Sequence, residues 1–327
     1  MSAPVLVTGS SGYVGSHLVA RLLEEGRNVR ATVRTEARAE QLRAALDARG
    51  IPTANLEFAF VDLDADPGWA EAVAGCEEIH HVASPIMVVQ PEDPEDLIRP
   101  AREGALRVLR AARDTGARRV VLTSSYAAIG YTPKTSGEYD EEDWTDPDTP
   151  GMPAYPRSKV IAERAAWDFI AAEGQGLELV SVAPTFILGP GLTGQIGTSL
   201  WFVKSLFDGT FPAVPKQRFG VADVRDVADL HLRAMRVPEA AGRRYLCLAD
   251  GPTITYLTVA EMLRAEFGAL ADKVPTTEAP GEDPPALVIH NERAKRELGI
   301  APRPWQATVL ETGQYLESIG LLGSPSA

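Results

Sequence analysis

Thr8-Gly9-Ser10-Ser11-Gly12-Tyr13-Val14-Gly15 decides the reading of this chain. It follows a short apolar run, Val5-Leu6-Val7. It precedes Val14, Leu18, Leu22 and Leu23, which recur at helical spacing up to a helix stop at Gly26. A strand therefore enters a glycine turn, and the turn opens a helix. Gly9 suits the tight turn, Gly12 lets the backbone approach a pyrophosphate, and Gly15 lets the helix pack closely on the strand. The helix start offers unpaired N–H groups and a partial positive charge to phosphates. In that context the triplet predicts a dinucleotide site, with Ser11, Tyr13 and Val14 beside the glycines.

The alternation continues outward. Residues 29–33, 56–61, 79–82, 119–123 and 177–182 read as strands, and 40–49, 98–113 and 159–172 as helices. Strands alternating with helices predict an α/β fold, a Rossmann-type doubly wound parallel sheet covered on both faces. The pattern degrades after Pro184. Gly and Pro are dense over 189–197 and 275–285, around a helical 227–235 and a strand-like 245–248. Residues 293–298 and 308–319 read as helices. The expected organisation is a dinucleotide-binding domain over 1–186, with part of 220–250 returning to it, and a smaller substrate-binding cap mainly over 187–327.

The 327 residues carry 32 Lys+Arg against 45 Asp+Glu, a net charge of −13. Such a surface repels phosphate backbones and anionic membranes, so neither nucleic acid nor membrane is an expected partner. Two cysteines, Cys76 and Cys247, exclude a disulfide scaffold and a four-Cys zinc site. No uninterrupted apolar run approaches a membrane span, and the first residues do not read as a signal peptide. A cytoplasmic monomer or homodimer is expected.

The end of the second strand bears on the cofactor. An NAD site usually places Asp or Glu there, to hold the ribose hydroxyls. Arg34 stands at that point, about 20 residues past Gly15. A guanidinium there pairs with a 2′-phosphate, and Arg38 one turn on adds a second cation, so NADP(H) is the expected cofactor. Asp62 and Leu63 follow the third strand, where Asp62 would also serve as a helix cap ahead of Pro67.

Ser125 closes the fifth strand, at the sheet edge where ligands bind in doubly wound folds. Tyr155 and Lys159 form a Tyr-x-x-x-Lys pair, and positions i and i+4 project from one helix face. Pro156 tolerates only a first-turn place, so the helix must begin near Tyr155. A nearby ammonium lowers a phenol's pKa, making Tyr155 a tuned proton donor with Ser125 to orient a substrate oxygen. His80 and His81, adjacent on a strand, point to opposite faces, and no metal site is expected. Cys76 has no evident cation or base beside it in the sequence.

The spacing Gly-x-x-Gly-x-x-Gly after Thr8 resembles the extended short-chain dehydrogenase/reductases. His81-Val82-Ala83-Ser84-Pro85, Ala183-Pro184-Thr185, Gly189-Pro190 and Asp223-Val224-Arg225-Asp226-Val227-Ala228 narrow the resemblance. Together they are similar to the dihydroflavonol reductase, cinnamoyl-CoA reductase and yeast-type aldehyde (methylglyoxal) reductase group. The resemblance implies catalytic roles for Ser125, Tyr155 and Lys159. It implies adenine contacts for Asp62 and Leu63, a cofactor lining of Ala83, Ser84, Pro184 and Thr185, and a pyrophosphate contact for Ser199. By the same analogy Ile86, Met87, Tyr126, Phe186, Trp201 and Phe202 wall a pocket for a small hydrophobic carbonyl substrate. Tyr126 is a departure, since the group more often has a small residue there. The acidic run 139–143 reads as a solvated turn anchored by Trp144. The expectation is an NADPH-dependent aldehyde or ketone reductase. The alternatives are an NAD-dependent nucleotide-sugar epimerase or dehydratase, and a non-catalytic NADP-sensing regulator.

Overall fold

The computed structural model describes residues 3–85 and 91–322. Seven strands form the central sheet: β1 Val5–Thr8, β2 Val29–Val33, β3 Leu56–Phe60, β4 Glu78–His81, β5 Arg119–Thr123, β6 Glu178–Pro184 and β7 Arg244–Cys247. Their order is β7-β6-β5-β4-β1-β2-β3, and every neighbouring pair is parallel. The order reverses beside β1, so a crevice opens between the carboxyl ends of β1 and β4, where such folds bind ligands.

Side chains alternate across the sheet. Val5 and Val7 face helices α1 (Tyr13–Glu24) and α2 (Glu36–Asp47), whereas Leu6 faces the opposite layer. That layer contains α3 (Trp69–Val73), α4 (Glu95–Asp114) and α5 (Ala154–Glu173). Both faces are thereby buried, as the near-continuous apolar strands require. Of the later helices, α6 is Thr198–Phe207, α7 Val224–Arg236, α8 Tyr256–Phe267, α9 Glu292–Leu298 and α10 Trp305–Ser318. Helices α7 and α9 pack with α1 on the sheet, while α6, α8 and α10 share a separate apolar cluster around Val203, Leu263 and Leu316. Four short strand segments join this part: Phe186–Leu188 lies parallel to Val221–Asp223, and Ile254–Thr255 antiparallel to Arg218–Phe219.

Helix α5 starts earlier than its apolar periodicity predicts, because Pro153 and Pro156 need no backbone donor in the first turn. Among the described residues no helix is long and apolar enough to cross a membrane.

Candidate active site

The glycine turn is locked to its neighbours by Thr8. Its Oγ1 accepts hydrogen bonds from Val82 N and Ala83 N, both at 3.0 Å, and pairs with His81 Nδ1 at 2.8 Å. Gly9 has φ +64°, and a Cβ there would lie 2.9 Å from Ala83 Cα. A Cβ on Gly15 would meet Gly9 O at 2.2 Å. Both positions therefore exclude side chains. Gly12 caps α1 without a side-chain acceptor, which leaves the helix N-terminus open to a ligand. Tyr13 turns aside, its hydroxyl donating to Gly189 O at 2.6 Å, and Val14 is buried.

Arg34 is exposed at the end of β2 and donates no hydrogen bond among the described residues. Arg38, in the first turn of α2, donates to Gln41 Oε1 at 3.2 Å. Asp62 is exposed, and its carboxylate accepts from Asp64 N at 3.1 Å. It does not cap α3, whose N-cap is Gly68, so the capping alternative is corrected. Leu63 packs beside Gly104.

At the other end of the crevice, Ser125 lies at the start of a single 3-10 turn, with its Oγ accepting from Ala127 N at 3.1 Å. Tyr155 Oη approaches Ser125 Oγ at 3.5 Å. Lys159 is 6% exposed, and its Nζ donates to Ser84 Oγ at 2.8 Å. Nζ stands 5.5 Å from the Tyr155 ring centroid. Burial lowers the Lys159 pKa to about 8. Burial also raises the Tyr155 pKa, against a lowering hydrogen bond with Ser125. The expected lowering of this phenol by Lys159 is thus corrected: Nζ is aimed at Ser84 rather than at the Tyr155 oxygen.

Beneath these groups lies a buried network that sequence reasoning missed. Glu163, one turn beyond Lys159, is 1% exposed. It accepts from Ser124 Oγ, from Ser181 Oγ at 2.6 Å and from Arg244 Nε at 2.8 Å. Burial works to raise its pKa, but Arg244 and the two serines hold it below the carboxylate range. Arg244 also donates to Glu141 O and Asp143 O, and its guanidinium lies 3.6 Å from the Trp144 ring centroid. The end of β5, the middle of β6, the start of β7, helix α5 and the 139–144 segment are therefore tied at one point. A glutamate at i+4 from Lys159, on the active face of an apolar helix, was the available signal.

The acidic run is not wholly solvated, which corrects that expectation. Tyr139 and Glu141 are buried, and Glu141 Oε1 accepts from Leu246 N. Strand β7 is the sheet edge, and its outward N–H needs an acceptor. Cys76 also departs from expectation, for Arg30 Nη1 lies 3.5 Å from its sulfur, although burial pushes the thiol's pKa up.

The proposed wall residues divide. Tyr126 is buried against Leu246, Leu248, Tyr131 and Tyr139, so the structure places it in a core cluster beneath the site rather than on an open wall. Phe186 and Phe202 join Phe219 and Tyr256 in one aromatic cluster, with Trp201 at its exposed rim against Phe211. Tyr131, unassigned in the sequence, lies against Tyr126 with ring centroids 6.0 Å apart. Desolvation and then Tyr155 push its phenol up to about 12, and the Tyr256 phenol is pushed up to about 12 by burial first and then by Tyr131. Ile86 and Met87 lie outside the described residues. Pro184 ends β6, Thr185 N donates to Cys247 O at 3.1 Å, and the Ser199 hydroxyl is held by Ile187 O. Two cavities of about 610 and 370 Å³ are found elsewhere, and neither is lined by Ser125, Tyr155 or Lys159.

The geometry fits a dinucleotide: a side-chain-free turn against Ala83, an open helix N-terminus, and two arginines at the end of β2 and the start of α2. Comparison with known proteins agrees. The NAD dependent epimerase/dehydratase family matches residues 5–247. Dihydroflavonol 4-reductase from Hordeum vulgare is 36% identical over 275 residues, spanning 81% of this chain and 75% of that protein. Anthocyanidin reductase ((2S)-flavan-3-ol-forming) from Vitis vinifera is 32% identical over 335 residues, spanning 97% and 96%. The crystal structure of yeast methylglyoxal/isovaleraldehyde reductase Gre2 complexed with NADPH superposes with a TM-score of 0.84 at 28% identity, covering 98% of this chain and 100% of that one. The chain belongs to the NAD dependent epimerase/dehydratase family, within the extended short-chain dehydrogenase/reductases.

Proposed function

From that membership we propose that the protein reduces an aldehyde or ketone with NADPH, using Ser125, Tyr155 and Lys159. The observation that carries this reading is the approach of Tyr155 Oη to Ser125 Oγ, 3.5 Å apart, with Lys159 one helical turn onward. Apo hydrogen bonds of this kind are often long and tighten with substrate. NADPH, when bound, supplies the hydride. Tyr155 gives its proton to the alkoxide formed from the carbonyl. Ser125 donates to the same oxygen and holds it at the phenol. Lys159, kept in place by Ser84, binds the nicotinamide ribose.

The crevice would hold the cofactor, with Gly12 and the start of α1 at its pyrophosphate. Arg34 and Arg38 receive the 2′-phosphate, Asp62 and Leu63 the adenine. Ala83, Ser84, Pro184 and Thr185 line the nicotinamide half, and Ser199 adds a pyrophosphate contact once released from Ile187 O. The rings of Tyr131, Phe186, Phe202 and Tyr256 support a hydrophobic carbonyl substrate. Two unpaired buried thiols support a reducing, cytoplasmic setting.

The test is NADPH oxidation by the purified chain, followed by absorbance, against aldehydes, α- and β-keto esters and aryl ketones. Turnover of at least one carbonyl class with NADPH is expected. Co-purified NAD with turnover of UDP-sugars, or NADPH binding without any carbonyl turnover, overturns the reading.

A further inference from the structure

We propose that Gln41 couples the 2′-phosphate end of the cleft to the glycine-rich segment 189–197, and so sets NADPH over NADH preference beyond the arginines themselves. The inference rests on the reading that Arg38 receives the 2′-phosphate.

Gln41 stands one turn past Arg38 on α2. Its Oε1 accepts from Arg38 Nη1 at 3.2 Å and from Gln195 Nε2 at 2.7 Å, while its Nε2 donates to Thr193 O at 2.9 Å. Thr193 in turn reaches the glycine turn, its hydroxyl 3.5 Å from Ser11 O. One amide thus joins a phosphate-seeking guanidinium, the 189–197 segment and the pyrophosphate-binding turn. An amide offers two donors and one carbonyl oxygen, and the carbonyl is spent on Arg38 and Gln195 together.

The segment needs such external ties. It contains Gly189, Gly191, Gly194 and Gly197, and Gly189 and Gly194 occupy positive φ. Glycine loses more backbone freedom on ordering than any other residue. The segment has no sheet or helix of its own between Gly189 and Gly197. Its 189–191 end is held by Tyr13 Oη on Gly189 O, Gly189 N on Thr312 Oγ1 at 2.7 Å, His17 Nε2 against Pro190 O at 2.9 Å and Arg49 Nη2 on Gly191 O at 3.2 Å, and its 193–195 part by Gln41. Arg38 has no carboxylate partner among the described residues, so the neutral Gln41 oxygen aims its fork without neutralising it. A phosphate on Arg38 then fixes the guanidinium in one orientation, which holds Gln41 Oε1 in place and, through Gln195 and Thr193, orders the segment. NADH lacks the phosphate and leaves this chain of bonds unloaded.

The test uses the full chain and its Gln41→Leu, Gln41→Glu and Arg38→Leu variants, titrated with NADPH and NADH by nucleotide fluorescence. Gln41→Leu is expected to lower the NADPH/NADH affinity ratio about five- to tenfold, the worth of one ordinary hydrogen bond. Gln41→Glu is expected to lower it further, because a carboxylate would compete with the phosphate for Arg38. Amide exchange in 189–197, at matched saturation, is expected to slow more with NADPH than with NADH, and this difference should vanish in Gln41→Leu. An unchanged ratio in Gln41→Leu, beside a reduced one in Arg38→Leu, overturns the coupling and leaves the Arg38 reading standing. An unchanged ratio in Arg38→Leu overturns both. Equal protection of the segment by NADPH and NADH in the unmodified chain overturns the coupling as well.

Discussion

At the reaction end of the crevice, Ser125, Tyr155 and Lys159 stand over a buried Glu163–Arg244 pair that ties β5, β6 and β7 to α5. At the phosphate end, Arg34 is exposed and Arg38 is steadied by a neutral amide. The first region holds its groups in place before any ligand arrives. On the proposed reading, the second leaves its cations solvated until a phosphate comes. The difference suits the tasks. A proton donor must be positioned within a fraction of an ångström, whereas a doubly charged phosphate is attracted over a distance and tolerates mobile partners.

The largest effect should come from breaking the buried pair. Glu163→Ala leaves the Arg244 guanidinium desolvated and unpaired, and loss of one partner in such a pair costs about 3–5 kcal/mol. Urea unfolding at neutral pH measures it. A loss under about 1 kcal/mol would mean that water reaches Arg244 and that the reaction end is not preorganised in this way.

Next is the chemistry itself. Tyr155→Phe deletes one hydroxyl and should cut turnover roughly a hundredfold or more, as expected for a lost general acid. NADPH affinity should persist, because the phosphate end is untouched. If most carbonyl reduction survived with NADPH bound, the proton would come from another group and the two ends would no longer divide the work.

Under the reaction end, His231 Nε2 pairs with Thr123 Oγ1 at 2.9 Å, and His80 lies against His231. Both ring nitrogens of His80 are buried without a partner among the described residues. Burial lowers its pKa to about 3. In the unfolded chain histidine titrates near 6.5, so the unfolded state takes up the proton first as pH falls. This contribution to stability is present above about pH 6.5 and is lost progressively towards pH 3. His80→Leu cannot take the proton and breaks no hydrogen bond. Relative to pH 8, it should gain about 2 kcal/mol over the unmodified protein at pH 5. Urea midpoints at the two pH values decide it, and parallel pH slopes would show that this histidine does not contribute.

The smallest effect should lie at the solvated end. Arg34→Asp removes a cation and adds repulsion, so the NADPH/NADH ratio of kcat/KM should fall roughly tenfold or more. Equal efficiency with both cofactors in the unmodified protein would sink the assignment of Arg34 to the 2′-phosphate.

Much of this was legible in the chain because it depends on local spacing. The strand–glycine–helix run at 5–23 needs only neighbouring residues, and β1, β2 and β5 match the expected strands residue for residue. Tyr155 and Lys159 share a face by helix periodicity alone. Element ends were less legible: α2 begins at Glu36 and not at residue 40, because its first turn is charged and carries no apolar signal. Glu163 offered only its i+4 spacing from Lys159, and Arg244 nothing local. A glutamate on a helix and an arginine opening a strand read as solvated charges, since burial is not a local property.

Sequence by itself determined the parallel doubly wound sheet, the glycine turn, the arginine at the end of β2 and the Tyr155–Lys159 spacing. Each follows from backbone periodicity or from the chemistry of a few adjacent residues. Tertiary structure decided what those groups rest on. It brought Ser124, Glu163, Ser181 and Arg244 together from four elements, buried Glu141 under the β7 edge, moved Tyr126 into the core, and aimed Lys159 at Ser84. The reason is desolvation. A charge or phenol removed from water must take whatever partners the packed strands and helices bring within reach, and those partners are set by the fold as a whole.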